Sequence, residues 1–339
     1  MSSSRAFLRA FLGLVAAGVL AALGMTLLVD PYGVLAPTIG TPTLCPPGNK
    51  SGLARQSKLL VPAAIRPRTV LLGTSRVMLG FDAAALERLG PDGANMGVEN
   101  AQPRDFVDQA RAATAWGKVE RAYIGADFAA FLGRAAPPLP PAPDPRAGPR
   151  LAVLADGLFS IDAVRAAILA LRDCRARFAP DGSPFYAGER PVWLGPATGA
   201  VGLEAVMQDR AEGVAELSPA DSRRRMAELA EAIRIFRRQG AQVTVFIAPY
   251  AGEVVDHYRK RGLGAVFDRW MADVAAMSRA NGAHVANFAT PAGTAALGLP
   301  ACAEPGPSCH FHDHIHYDRS TGTAMAEVLA RTPPERPAS

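Results

Sequence analysis

The stretch Thr69-Val70-Leu71-Leu72-Gly73-Thr74-Ser75 decides the fold. Its apolar run predicts a short buried strand, and the Gly-Thr-Ser that follows predicts a turn into a helix. Strands that turn directly into helices are the units from which parallel α/β sheets are built. In such sheets ligands bind beyond the carboxyl ends of the strands. Ser75 is therefore predicted to lie at a ligand-binding edge.

The rest of the chain repeats this alternation of strand and helix. The predicted later strands are one closing at Asn95-Met96-Gly97 and the segments 119–126, 242–248 and 284–288. The predicted helices are 104–116, a long one capped by Ser218 with Pro219 and Asp221 and ended by Gly240, 266–280 and about 320–330. Strands separated by helices pair in parallel through right-handed crossovers. The pattern predicts an α/β fold: a flavodoxin-like open parallel sheet of about five strands with helices on both faces.

Polar residues and glycines follow several of these strands. Ser75, Gly97 and Asp127 come just after the first three strands, and His316 follows the fifth. Asp313 precedes His316 by three residues, close enough for the two side chains to meet across one turn. A hydroxyl nucleophile needs a base to take its proton and a third group to orient that base. Ser75, His316 and Asp313 are therefore candidate catalytic residues.

The same residues have other interpretations. Ser75 after Gly-Thr could be a plain helix cap. The alternating histidines of the C-terminal segment would share one face of an extended chain, and with nearby carboxylates they could bind zinc or another transition metal. The residues of that candidate cluster are His310, His312, His314, His316, Asp313 and Asp318. Their spacing matches none of the usual zinc signatures, so neither a metal nor another cofactor is predicted.

Residues 10–29 form an uncharged apolar stretch that is interrupted only by Thr26. About 20 such residues cross the roughly 30 Å hydrocarbon core of a bilayer. Arg5 and Arg9 precede the stretch and predict a cytoplasmic N-terminus, with the remaining chain outside. A cleaved signal peptide is the alternative, but its apolar core is shorter, and Leu27-Leu28-Val29 is a poor cleavage site. We expect an uncleaved anchor that ends at Asp30-Pro31-Tyr32-Gly33.

The expected organisation is a cytoplasmic tip and anchor at 1–33 and one extracytoplasmic α/β domain at 34–339. Within that domain, 133–216 breaks the strand–helix pattern and is interpreted as an insertion, a Pro-rich linker at 135–149 followed by a helical segment at 151–178. It is either a cap over the site or a surface elaboration. The net charge of +5 is spread along the chain. Its densest run, 223–225, opens an amphipathic helix, so no nucleic-acid partner is predicted.

Four cysteines lie on the predicted outer side of the membrane. An even number of cysteines in an oxidising compartment favours disulfides over metal ligands. Cys302 and Cys309 are neighbours and pair most easily. Cys45 with Cys174 follows only by elimination, and four free thiols are the alternative.

Taken in order, the motifs Gly73-Thr74-Ser75-Arg76, Asn95-Met96-Gly97, Gly125-Ala126-Asp127 and Asp313 with His316 resemble the blocks of the SGNH (GDSL-type) hydrolase superfamily. The anchor is similar to that of membrane-anchored bacterial members, including relatives of the alginate O-acetyltransferase group, which act on envelope polysaccharides. The resemblance covers 49–131 and 218–331 and leaves the insertion outside.

The resemblance implies a role for each matched residue. Ser75 would be the acyl nucleophile, His316 the general base and Asp313 the group that orients it. The backbone N–H groups of Ser75 and Gly97 would bind the oxyanion. The family's third oxyanion donor is an asparagine, whereas the matching residue here is Asp127, whose ionised carboxylate cannot donate a hydrogen bond.

Three explanations of this departure stay open: another role for Asp127, substitution by Asn95 or Asn100, or weak activity. Arg76 faces either the pocket or the solvent around the helix start.

The function that the resemblance implies is a serine esterase or O-acetyltransferase for an envelope polysaccharide, without a cofactor, on the periplasmic side of the bacterial inner membrane. A transferase would also need a membrane partner that delivers the acyl donor. The alternatives are a catalytically inactive structural or glycan-binding component of an envelope assembly and a metal-binding protein that uses the histidine cluster.

Overall fold

The structure is a computed structural model that describes residues 2–31, 35, 58–59, 61–132, 158–172, 178–179, 181–188, 190–191, 203–300 and 310–331. Cys45, Cys174, Cys302 and Cys309 lie outside these ranges, as does the Pro-rich stretch 135–149. The proposed disulfides and the linker therefore stay predictions.

Five parallel strands form the central sheet and confirm the predicted fold class. They are β1 (Thr69–Leu72), β2 (Gly93–Asn95), β3 (Arg121–Ala126), β6 (Gln242–Ile247) and β7 (His284–Asn287). Their spatial order is β2-β1-β3-β6-β7, the flavodoxin-like order once the strands of this sheet alone are counted. A separate antiparallel hairpin pairs β4 (Tyr186–Ala187) with β5 (Arg190–Pro191).

Helices connect and surround the strands. In chain order they are α1 (Ser2–Val29), α2 (Val61–Ile65), α3 (Ser75–Gly80), α4 (Ala83–Leu89), α5 (Pro103–Trp116), α6 (Ile161–Arg172), α7 (Leu203–Glu216), α8 (Pro219–Arg238), α9 (Gly252–Lys260), α10 (Gly264–Ala280), α11 (Pro291–Ala295) and α12 (Arg319–Arg331). A 3-10 turn, Phe128–Phe131, follows β3.

The two faces of the sheet are covered by different helices. Val70 and Leu72 point to one side and pack with apolar side chains of α5, α8 and α10. Leu71 points to the other side and packs with α4 and α12. Successive strand residues face opposite ways, so a sheet covered on both faces needs the continuous apolar runs seen here.

Local sequence signals explain why the elements begin and end where they do. Ser218 caps α8, its hydroxyl accepting the Asp221 N–H at 3.0 Å, and Gly240 follows the helix with a φ of +80°.

The helices α4 and α9 were not predicted. In the predicted insertion, α6 lies inside the expected helical segment, and α7 buries Met207 in the main core.

The N-terminal helix is long and apolar enough to cross a membrane. Its candidate span, Ser4–Val29, has 26 residues and a mean hydropathy of 2.4. Most of the span is exposed, but its C-terminal end packs on α6 through Val29 and Ala167. A signal sequence passes the same length and composition test.

Candidate active site

Ser75, His316 and Asp313 form a continuous line of hydrogen-bonding atoms. Ser75 Oγ lies 2.9 Å from His316 Nε2, and His316 Nδ1 lies 2.8 Å from Asp313 Oδ2. The serine and the histidine are 241 residues apart in the chain. The three residues are partly exposed, so a substrate can reach the serine. The arrangement can move a proton from the hydroxyl to the imidazole, with the carboxylate stabilising the resulting cation.

The turn after β1 places Ser75 at the first residue of α3. Thr74 is the N-cap, and its hydroxyl oxygen accepts the Arg76 N–H at 3.3 Å. N–H groups in the first helical turn have no intrahelical partner, and the positive end of the helix dipole favours negative charge. The Ser75 N–H lies at this end of α3, on the first residue of the helix.

A close approach aligns α3 with the histidine loop. The buried ring of Tyr317 lies against Gly80, where an added Cβ would be 1.9 Å from a ring carbon. Any side chain at Gly80 would push away the residue that follows His316. This contact helps to hold the helix that carries Ser75 beside the segment that carries the imidazole.

Asp313 both shapes the loop and orients the histidine ring. Its Oδ1 accepts the backbone N–H groups of Ile315 and His316, each at 2.7 Å, while Oδ2 faces the imidazole. Burial alone would raise the pKa of Asp313, but these hydrogen bonds and the imidazole outweigh it and hold the pKa well below its usual range. The carboxylate is ionised whenever the site is near neutral pH.

Behind this line, Arg76 is buried rather than exposed to solvent. Its Nε donates to the carbonyl of Ile315 at 3.0 Å, and its Nη2 donates to the carbonyl of Pro249. The guanidinium lies 4.3 Å from the ring centroid of Tyr250, and Nη1 is 4.0 Å from Asp127 Oδ2. Arg76 thus holds the carbonyl of the residue that precedes His316.

Asp127 is the carboxylate partner of that buried cation. Its Oδ2 accepts the hydroxyl of Thr74 at 3.0 Å, and its Oδ1 accepts the hydroxyl of Tyr250 at 2.9 Å. Burial would raise the pKa of Asp127, but the charges of Arg76 and Arg210 and the two hydroxyl donors lower it. An ionised carboxylate with these partners has no hydrogen-bond donor for an oxyanion.

Asn95 and Gly97 are engaged with the protein. The Asn95 amide donates to the carbonyls of Val77 and Phe81, and its oxygen accepts the Gly97 N–H at 3.0 Å. Gly97 approaches α3 so closely that a Cβ would lie 2.6 Å from the Met78 nitrogen. These contacts tie β2 to the helix that carries Ser75, and they already use the Gly97 N–H. Asn100 lies in the turn after this loop.

Three of the four histidines of the C-terminal loop contact different partners. His310 contacts the carbonyl of Pro300, His314 contacts Glu253, and His316 contacts Ser75. The loop closes on itself through the His312 N–H, which donates to the His316 carbonyl at 2.7 Å. Within the described ranges, no group of three His, Cys, Asp or Glu side chains is arranged to hold a metal ion.

Segments of the predicted insertion contact the elements around the site. The buried ammonium of Lys58 donates to the carbonyls of Asn95 and Gly182, each at 2.7 Å, and so ties the turn at Gly182 to β2. Burial lowers the pKa of Lys58 to about 7, against the opposing charge of Asp181. Tyr186 donates to the carbonyl of Leu79 in α3.

Several residues of the site were missed from the sequence. Tyr250 lies just past the end of β6, a position that predicts a site residue in parallel sheets. Glu253 and Gly80 carried no such signal, because their roles come from contacts with the distant residues His314 and Tyr317.

Comparisons with known proteins add little to this geometry. No protein-family model matches the chain, and no curated protein matches it. One solved structure, provisionally described as a platelet activating factor from Streptococcus pneumonia, matches 95% of this chain and 99% of its own, with 9% identity and a TM-score of 0.38. Similarity at that level shows neither a family nor an activity.

Proposed function

We propose that the protein is a membrane-anchored serine acyl-transfer enzyme, an esterase or O-acetyltransferase that acts on an envelope polysaccharide. The observation that carries the proposal is the line of contacts from Ser75 Oγ through His316 to Asp313 at the carboxyl edge of the sheet. The polysaccharide and the acetyl group come from the resemblance of the motifs to the SGNH superfamily.

The geometry supports a two-step reaction. The Ser75 hydroxyl attacks the acyl carbonyl carbon while His316 Nε2 takes its proton, and the Ser75 N–H at the start of α3 faces the developing oxyanion. Collapse of the intermediate breaks the bond to the leaving alcohol, which takes the proton from His316. Water or a sugar hydroxyl then attacks the acyl-serine, and His316 acts once more as base and acid. No step needs an oxidant or a reductant.

The oxyanion hole in this proposal differs from that of the family. Asp127 balances Arg76, and the Gly97 N–H is bonded to Asn95. The Arg76, Val77 and Met78 N–H groups already donate to Thr74, so the Ser75 N–H is the oxyanion donor in this proposal. Losing one donor typically costs 10²–10³ in rate, so we expect a slow enzyme.

The proposed location rests on α1. We propose that it stays as an anchor, with the α/β domain on the periplasmic side of a bacterial inner membrane. Packing of Val29 on α6 supports retention, because cleavage after the helix would uncover a buried surface. A transferase at this place needs an acyl donor from outside the cytoplasm, hence a membrane partner that supplies it.

The test compares three forms of the full chain in detergent micelles: the parent, Ser75→Ala and the control Ser222→Ala. Ser222 lies in α8 and is not one of the residues that form the candidate site. Each is assayed for p-nitrophenyl acetate hydrolysis and, by intact mass, for one adduct with a fluorophosphonate probe. We expect turnover and adduct in the parent and the control only.

A folded parent without adduct, or an adduct that Ser75→Ala retains, would overturn the proposal and favour the inactive structural component. If the proposal holds, adding an oligosaccharide acceptor separates the two reactions. An esterase releases acetate, whereas a transferase yields acetylated sugar.

A further inference from the structure

Helix α6 exposes an unusual concentration of apolar side chains. Outside α1, the described residues include seven large hydrophobic side chains that are exposed, and five of them lie between residues 159 and 171. These five are Phe159, Ile161, Ile168, Leu169 and Leu171. Scattered exposed apolar residues need no explanation, whereas a cluster indicates a surface that meets another apolar phase.

The position of α6 indicates which phase that is. Met25 and Val29, in the last turns of α1, pack against Ala167 and Ala170 of α6. The helix α6 thus lies beside the point where the anchor enters the domain. On α1 itself, Leu27 and Leu28 stay exposed at the same level.

The length of the anchor places this junction at the membrane boundary. Its 26-residue span is about 39 Å long at 1.5 Å per residue, against roughly 30 Å for the hydrocarbon core. The surplus of about 9 Å corresponds to about six residues. Arg5 and Arg9 favour the cytoplasmic headgroup region, which places this surplus on that side and leaves residues 10–29 to cross the core. The last turns of α1, which pack on α6, then lie at the outer boundary of the hydrocarbon.

The exposed face of α6 also has the mixed composition of an interfacial helix. Ile161, Arg165, Ile168 and Arg172 recur at helical spacing and lie on one side, with Leu169 beside them. All five are exposed, while Ala163 and Ala167 face inward. Arginine stems can lie along acyl chains while their guanidinium groups reach lipid phosphates.

We propose that this face of α6 lies in the headgroup and acyl boundary of the leaflet where α1 emerges. The inference rests on the proposed anchor. A second contact with the bilayer stops the domain from swinging freely about α1 and fixes the distance of Ser75 from the membrane surface. The substrate that reaches the site is then one presented close to that surface.

The experiment uses the full chain reconstituted into phosphatidylcholine vesicles, with tryptophan as a depth probe. Leu169→Trp is the test variant, Leu14→Trp reports on the anchor, and Val266→Trp is an exposed control on α10. Each is compared with the parent in plain lipid and in lipid brominated near the carbonyl end or near the middle of the chains. Formation of the Ser75 adduct with the fluorophosphonate probe shows that each variant is folded. If the parent does not form the adduct, circular dichroism is the test of folding.

We expect emission of Leu169→Trp to fall in brominated lipid, most strongly with shallow bromine, as for a side chain about 5–10 Å inside the boundary. Emission of Val266→Trp should not change. Quenching of Leu14→Trp without quenching of Leu169→Trp would overturn the lipid contact and leave the anchor standing. If the emission of Leu169→Trp is blue-shifted but not quenched by brominated lipid, the lipid contact is overturned in favour of a contact between copies of the protein. Failure of Leu14→Trp to quench would remove the anchor and this inference together, while the Ser75 adduct reports on the chemistry independently.

Discussion

Two sets of polar side chains meet at the same edge of the sheet, at different depths. Ser75, His316 and Asp313 are partly exposed, and their hydrogen bonds run in one line towards the solvent. Arg76 and Asp127 are buried behind them and contact backbone carbonyls, hydroxyl groups and each other. An exposed line can exchange protons with a substrate, whereas a buried ion pair can only hold its surroundings in place. Under the proposed function, depth therefore assigns reaction to the exposed residues and positioning to the buried ones, although both sets are polar residues at strand ends in the sequence.

The largest expected effect is on the exposed line. In Asp313→Asn the amide oxygen can still accept the two backbone N–H groups of the loop, while the atom facing His316 becomes a donor. Loss of the carboxylate selects the wrong imidazole tautomer and removes the counter-charge, so kcat/KM for an acetyl ester should fall about 10⁴-fold. The unfolding midpoint should hardly move. Activity within tenfold of the parent would remove Asp313 from the reacting groups.

Substitutions in the buried pair of Arg76 and Asp127 should lower folding stability rather than mainly activity. Asp127→Ala leaves the Arg76 charge buried without its carboxylate, which typically costs 3–5 kcal/mol of folding free energy. The control is a cycle with Arg76→Met, measured by urea unfolding of the full chain in micelles. The double variant should lose less stability than the sum of the single losses, by about 0.5–3 kcal/mol. Strict additivity, or an Asp127→Asn protein that is fully stable but inactive, would contradict the positioning role.

The smallest expected effect is the pH dependence of folding stability that comes from Lys58, which can be compared with Arg76. Like Arg76, it is a buried basic side chain that donates to two backbone carbonyls. Burial lowers the pKa of Lys58 to about 7. For Arg76 burial is outweighed by the charge of Asp127 and by the neighbouring tyrosines, so its pKa is raised. Between about pH 7 and the ordinary lysine pKa near 10.4, the unfolded chain binds the extra proton, so folding stability rises with pH.

The expected slope is at most about 1.4 kcal/mol per pH unit. Lys58→Met should lower stability, through the lost hydrogen bonds, and remove this part of the slope. Unfolding midpoints at pH 7, 8 and 9 for both proteins provide the measurement. Parallel curves would mean that Lys58 keeps its proton throughout, like Arg76.

Much of the fold could be predicted because its signals are local. The apolar runs of β1, β3 and β6, the cap at Ser218 and the stop at Gly240 each act within a few residues. Their order was enough to predict a parallel sheet and to place Ser75 at its edge. The boundary of β2 was harder, since a three-residue strand carries little periodicity. The short helices α4 and α9 were missed for a similar reason.

The sequence by itself determined the helix–strand order, the apolar N-terminal helix and the nearness of Asp313 to His316, because each depends on neighbours along the chain. Only the tertiary structure decided that Ser75 meets His316 and that Arg76, Asp127 and Asn95 turn inward. Burial is set by what packs against a side chain. Here the packing partners, such as Tyr250 and Ile315, lie more than a hundred residues away from the groups they enclose.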